Sequence, residues 1–123
     1  MRQFLSSSLD VPDSNILVLT NNDATREKIL SCFDSHLIRN ENIQRNDPII
    51  FFFAGHGSRV DAPPEWATSD GKTGAICPYD EGVRHNGDWI CAIPARTLNG
   101  LFRQLAGKRG NNIVCSSPRS SLH

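Results

Sequence analysis

The tripeptide Gly55-His56-Gly57 is the part of the sequence best suited to chemistry. It follows residues 49–54 (IIFFFA), a continuously apolar run that predicts a strand buried on both faces. In an open α/β sheet, ligands bind at the carboxyl ends of the strands. Because imidazole titrates near neutral pH, a histidine at that edge can act as a general base or acid. Flanking glycines leave backbone N–H groups free to face a developing oxyanion.

The same tripeptide also suits a tight turn in which His56 is only an exposed polar residue. The spacing of the residues does not separate the two interpretations. A nucleophile near the histidine would favour catalysis, and the sequence has four cysteines, Cys32, Cys77, Cys91 and Cys115. They form no CxxC pair, which argues against a zinc site. Cys32 falls near the apolar face of a helix, and Cys77 and Cys91 lie in a loop without activating neighbours.

Two helices and three strands are predicted around the tripeptide. Residues 15–20 (NILVLT) form a short apolar run typical of a buried strand. Residues 25–38 predict an amphipathic helix, capped by Thr25. Together with residues 49–54 they predict a right-handed strand–helix–strand unit. Its helix would turn one apolar stripe to the core: Ile29, Leu30, Phe33 and Leu37.

The second half of the chain begins with residues 59–89, whose prolines and glycines predict a long loop. Pro94 opens the second predicted helix, and Gly107 is its predicted C-terminal cap. Residues 112–115 begin another strand. The apolar face of this helix consists of Leu98, Leu101, Phe102 and Leu105.

Length and charge restrict the class of protein. With 123 residues there is room for one domain. Lys plus Arg and Asp plus Glu both number 13, so the net charge of zero favours neither a nucleic-acid nor a membrane partner. No apolar run approaches the ~20 residues of a membrane-spanning helix. The first ten residues lack the apolar segment of a secretion signal, so we expect reduced thiols and a cytoplasmic location.

Several short motifs, in order, resemble the caspase and metacaspase family of cysteine-type endopeptidases. Residues 49–60 (IIFFFAGHGSRV) resemble its histidine strand. Val11-Pro12 with Asn15-Ile16 is similar to the segment leading into its second strand. The resemblance covers roughly residues 4–113 and is closest to short fungal caspase-domain proteins. It implies an α/β fold with a mostly parallel sheet flanked by helices. Two further motifs match the start of a helix and the segment after the histidine loop: Ala24-Thr25-Arg26 and Ile76-Cys77-Pro78-Tyr79-Asp80.

By this resemblance, His56 is the catalytic histidine and the N–H of Gly57 belongs to the oxyanion hole. The nucleophile is expected in a motif like Asp-x-Cys-His-Ser-Gly, whereas here the sequence reads Cys115-Ser116-Ser117-Pro118. Cys115 follows His56 by 59 residues, comparable to the ~50 of caspases. Its expected place in the body of a strand would bury the thiol and raise its pKa, which makes it a weak candidate.

The resemblance therefore implies a partial domain, incomplete at both ends, over residues 1–115. Residues 116–123 (SSPRSSLH) are polar and contain a proline, which predicts a disordered tail. We expect this chain to be an inactive member of the family without an organic cofactor. Two alternatives stay open. One is an active endopeptidase that uses Cys115 or is completed by another chain. The other is a non-enzymatic module that self-associates or pairs with a full-length relative through exposed sheet edges.

Acidic residues after the histidine raise the question of calcium, which members of the family often bind. Lys72-Thr73-Gly74 has no acid where the family has one, and Ala95 lies where acids cluster. We therefore predict a solvated loop and no metal site, with the two tryptophans packing the loop down. The residues concerned are Asp61, Glu65, Asp70, Asp80, Glu81 and Asp88, with Trp66 and Trp89.

Overall fold

A computed structural model describes residues 7–66 and 70–116 of the chain, which fold as a mixed α/β structure. Helix α1 (Arg26–Cys32) continues as one stretch of π-helix (Phe33–Ile38), and α2 covers Ala95–Arg109. Short 3₁₀ turns lie at Asp13–Asn15, Asn21–Asp23 and Pro64–Trp66. The strands are β1 (Ile49–Phe52), β2 (Gly57–Asp61), β3 (Lys72–Ile76), β4 (Arg84–His85), β5 (Asp88–Trp89), β6 (Ile93–Pro94) and β7 (Ile113–Ser116).

The strands form three small sheets. β1 and β7 pair in parallel, β2, β3 and β6 form an antiparallel sheet in that order, and β4 and β5 form a hairpin. The predicted α/β class is confirmed, but pairing in the described residues is mostly antiparallel. The connection between β2 and β3 is too short for the crossover that parallel neighbours need. Pro94 has no backbone N–H, but none is needed at its position in β6. It faces Ala75, whose own N–H is directed at β2 on the other side.

The first predicted helix is confirmed. The side chain of Thr25 accepts a hydrogen bond from the N–H of Lys28 at 3.2 Å and so caps α1. In the π-helical stretch the Arg39 N–H bonds the carbonyl of Asp34, five residues earlier. The wider turn places Ile38 on the buried side with Phe33.

The strand predicted at residues 15–20 is wrong. Asn15 ends a 3₁₀ turn, Ile16 and Thr20 have extended backbone angles, and no strand among the described residues pairs with this segment. Leu17 and Val18 are exposed, and only Leu19 packs against the core. β1 finds its parallel partner in β7 instead, so the strand–helix–strand unit is β1, α2 and β7.

The second predicted helix is confirmed, with Leu98 and Leu105 buried and Leu101 and Phe102 partly buried. Its predicted cap at Gly107 is wrong, because that residue lies inside α2. The helix ends at Gly110, which has φ 95° and ψ 173°. Glycine is required there because this backbone region is closed to residues with a Cβ.

Residues 59–89, predicted as loop, contain two hairpins. The strands β2 and β3 make up the first, and β4 and β5 the second. Asn86 and Gly87 connect the second with φ values of 53° and 86°, the signature of a type I′ turn. Both tryptophans of this segment pack against arginines. The Cζ atom of Arg96 lies 5.1 Å from the centroid of the Trp66 ring, and that of Arg84 lies 5.2 Å from the Trp89 ring.

The core has two adjoining parts that share α1 and α2. Ile29, Ile76, Ile93 and Leu98 form the first cluster. The second cluster consists of Phe33, Ile38, Ile49 and Leu105. Phe33, Phe51 and Phe102 join the helices to β1, with ring centroids 5.3–5.9 Å apart in tilted or edge-to-face contact.

The prediction that the 49–54 run is buried on both faces is wrong for the described residues. Ile49 and Phe51 face the helices, whereas Ile50 and Phe52 keep 43% and 39% of their surface exposed. Val114, beside Ile50 on β7, is 55% exposed.

Among the residues described, no helix is long and apolar enough to cross a bilayer.

Candidate functional site

His56 lies in the short connection between β1 and β2 and is exposed. It therefore follows the carboxyl end of a parallel strand, as predicted, although β1 ends at Phe52 and not at Ala54. The predicted neighbour from residues 15–20 does not share this edge. The chain leaves β1, passes His56 and immediately enters the antiparallel sheet at Gly57, the first residue of β2.

The register of β2 against β3 orients the N–H of Gly57. The Cys77 N–H donates to the His56 carbonyl at 2.9 Å, and the Ala62 N–H donates to the Gly71 carbonyl at 2.8 Å. Hydrogen-bonded and non-hydrogen-bonded positions alternate along an antiparallel pair. Gly57, which faces Ile76, is therefore at a non-hydrogen-bonded position. Its N–H points away from β3, at the outer edge of the sheet.

Gly55 has a packing role rather than a chemical one. A Cβ on this residue would lie 2.9 Å from the Cζ atom of Phe53. The Phe53 ring in turn packs against the first core cluster. The small residue before His56 thus leaves room for the Phe53 ring.

Cys115 lies in the body of β7, beside Phe51 of β1. The residue is exposed overall, but partial burial of its thiol raises the pKa of Cys115. Among the described residues no hydrogen bond joins this thiol to His56. Cys115 instead contributes to a groove of about 470 Å³ that His56 does not line. Its lining residues are Asn99, Phe102, Arg103, Ala106, Asn111, Ile113 and Cys115.

Cys77 is the cysteine that the fold brings next to the histidine, a proximity that sequence reasoning missed. Its backbone N–H bonds the His56 carbonyl, so the two residues face each other where the β2–β3 ladder ends. Burial, and to a lesser degree the negative charge of Glu81, raises the pKa of the Cys77 thiol. A raised pKa keeps the thiol protonated near neutral pH, the opposite of what a nucleophile needs.

Two acidic residues of the 59–89 segment, Asp61 and Asp70, serve the local structure. Asp61 forms an ion pair with Lys72, and Asp70 forms one with Arg59 at 2.8 Å. The Lys72 backbone N–H and then the Arg59 guanidinium lower the pKa of Asp70. Across residues 7–66 and 70–116, no three His, Cys, Asp or Glu side chains are grouped so as to hold a metal ion.

Two of the motifs singled out in the sequence, residues 24–26 and 76–80, are hydrogen-bonded to each other. The Asp80 carboxylate accepts the N–H of Arg26, the first residue of α1, at 2.9 Å. The Arg26 guanidinium donates to the carbonyls of Cys91 and Ala92 at 3.1 and 2.9 Å. These bonds fasten the long segment after β3 to the start of α1. The adjacent groove, about 330 Å³, is lined by Thr25, Arg26, Glu27, Leu30, Asp80, Val83, His85 and Ile90.

Comparisons with models of protein families, with curated proteins and with solved structures gave no match. The site offers an exposed imidazole and, on the next residue, an N–H directed at a sheet edge with which no other described strand pairs. A general base or acid and one oxyanion donor are what acyl transfer requires besides the nucleophile.

Proposed function

We propose that the chain is a caspase-like domain of the cysteine-type endopeptidase family in which none of the cysteines acts as a nucleophile. By the resemblance, His56 corresponds to the family's general base and acid and the Gly57 N–H to its oxyanion donor, but no thiol of the chain acts with them. The domain alone therefore does not cleave peptides. This proposal combines the sequence resemblance with the arrangement of the two residues at the end of β1.

The outward orientation of the Gly57 N–H is the observation that carries the proposal. A substrate carbonyl placed at the edge of β2 would accept this N–H while its leaving amine lies near the neighbouring imidazole. Any edge strand directs alternate N–H groups outward, and the particular feature here is that an exposed histidine precedes the first of them. An acyl-transfer site uses both groups together.

The absence of cleavage follows from the thiols. Cys115 belongs to the groove beside α2, and the raised pKa values of Cys77 and Cys115 keep both thiols protonated near neutral pH. Covalent catalysis requires the nucleophile within hydrogen-bond reach of its base. Neither of these thiols donates a hydrogen bond to His56 within the described parts of the chain.

Turnover of fluorogenic peptides with Arg or Lys before the scissile bond tests this function. We expect no turnover above that of a His56→Ala variant, with or without calcium. Cys77→Ala and Cys115→Ala variants are the matched controls, and both should equal the parent chain. Turnover that is abolished by His56→Ala and by Cys115→Ala would contradict the proposal and establish the active-enzyme alternative. Turnover abolished by Cys77→Ala would also contradict the proposal, because Cys77 would then be the nucleophile.

A further inference from the structure

Two Asn-Gly dipeptides occur in the chain, and the fold places them in different backbone environments. Asn86-Gly87 forms the tip of the β4–β5 hairpin, whereas Asn99-Gly100 lies within α2. All four residues are exposed to solvent. An asparagine side-chain amide can be attacked by the backbone nitrogen of the next residue, and glycine has no side chain to hinder that approach. The sequence is equal at the two sites, so any difference in reactivity comes from the structure.

The backbone nitrogen of Gly87 is available for this attack. Among the described residues, neither the Gly87 N–H nor the Asn86 side-chain amide takes part in a hydrogen bond. Only the Gly87 carbonyl is engaged, by the Arg84 guanidinium at 3.1 Å. β4 and β5 pair over two residues each, and all four of these residues are exposed. Such a short hairpin gains little stability from its own contacts, so its tip opens at low cost.

The backbone nitrogen of Gly100 is held in place by the helix. Inside an α-helix each N–H is directed at the carbonyl four residues earlier, which for Gly100 is that of Arg96. The same stretch of α2 carries Leu98, which is buried in the first core cluster. Attack on the Asn99 amide would therefore require a packed helical turn to unfold. Exposure alone does not make this second dipeptide reactive.

We propose that Asn86 is a site of spontaneous covalent modification, where the hairpin tip converts to aspartate and isoaspartate. The Gly87 nitrogen forms a bond to Cγ of Asn86, the Cγ–Nδ2 bond breaks, and ammonia leaves with the proton that the Gly87 nitrogen gives up. Water then opens the resulting succinimide ring. Opening at the Cγ carbonyl gives aspartate, and opening at the main-chain carbonyl gives isoaspartate, in which the backbone runs through the former side chain. This inference is independent of the proposed function.

The two products have different effects on the hairpin. Asp-Gly favours a type I′ turn as Asn-Gly does, so aspartate keeps the hairpin. Isoaspartate lengthens the backbone of a two-residue loop, and loop length fixes the turn and the pairing of the strands. We expect isoaspartate to separate β4 from β5 and to release Trp89 from Arg84. The bond from the Ile90 N–H to the Val83 carbonyl, 2.8 Å long, would be lost with them.

Incubation of the full chain in warm, mildly alkaline buffer tests the site, because loss of a proton from the attacking nitrogen speeds ring formation. Peptide mass spectrometry follows the loss of each amide, and an isoaspartate-specific methyltransferase measures isoaspartate. We expect Asn86 to react about tenfold faster than Asn99 or more, since unfolding a helical turn costs at least the roughly 1.4 kcal/mol that this factor represents. In urea the two sites should react at similar rates. Equal rates in the folded chain, or an Asn86 that stays intact while the unfolded chain reacts, would overturn the proposal.

Asn86→Gly is the variant that separates the modification from the turn. It removes the amide, and Gly-Gly also suits a type I′ turn. As isoaspartate accumulates in the parent chain, hydrogen exchange at Ile90 should rise by about tenfold or more. Ala62, whose N–H bonds Gly71 in the other hairpin, should exchange as before. The variant should keep the initial exchange rate at Ile90 throughout. An equal rise in the variant would overturn the proposal, because the hairpin would then open without the modification.

Discussion

Replacement of Leu105 by alanine is expected to lower the free energy of unfolding by about 2–5 kcal/mol. The side chain is fully buried in the second core cluster, between α2 and the π-helical stretch. Removing it takes away buried methyl groups and leaves a cavity that the neighbouring aromatic rings cannot fill without moving. Urea unfolding followed by far-ultraviolet circular dichroism measures the change.

Val114→Ala is the control for Leu105→Ala. It also truncates an apolar side chain, but Val114 is 55% exposed on β7. We expect a change within about 0.5 kcal/mol. Equal effects at both positions would mean that the helices do not pack as described, and that the core lies on the other face of β1 and β7.

Gly110→Ala is expected to destabilise the chain by about 1–3 kcal/mol. The residue has φ 95° and ψ 173°, a region that side chains with a Cβ do not adopt. An added Cβ would also lie 2.8 Å from the backbone nitrogen of Asn46. That nitrogen donates to the Arg109 carbonyl at 2.7 Å, so a shift would also disturb the end of α2.

Gly107→Ala supplies the matched comparison, three residues earlier in the same helix. An added Cβ there meets nothing within 4 Å, and alanine is favoured over glycine in a helix by roughly 0.5–1 kcal/mol. We therefore expect this variant to be slightly more stable than the parent in thermal unfolding. If Gly107→Ala were instead the less stable of the two variants, the helix would have to end at Gly107, and that result would contradict the structure.

The helices could be predicted because the 3.6-residue period of their apolar residues does not depend on distant partners. The strand predicted at residues 15–20 failed for the opposite reason. An apolar run forms a strand only when another strand offers its backbone, and β1 pairs with β7. The pattern of 49–54 likewise predicted a strand but could not tell that one face would stay exposed.

The candidate site, too, could be predicted only in part from the sequence. His56 and Gly57 were found from their place after an apolar run, and the structure places them at the junction of β1 and β2. The proximity of Cys77 to His56 depends on the β2–β3 register, which no local spacing reveals. The Asn86-Gly87 dipeptide did carry a hairpin signal, but the surrounding glycines and prolines obscured it.

Labelling with an irreversible electrophilic peptide tests the central claim, that no cysteine of this chain works with His56. The reagent is a short peptide ending in an arginine chloromethyl ketone, and mass spectrometry locates the adduct. We expect slow labelling at equal rates in the parent and in His56→Ala, rising with pH because thiols with raised pKa values ionise only in alkaline solution. A single adduct on any of the four cysteines that forms about 10²-fold faster when His56 is present would contradict the account, because that is the scale of assistance from a general base.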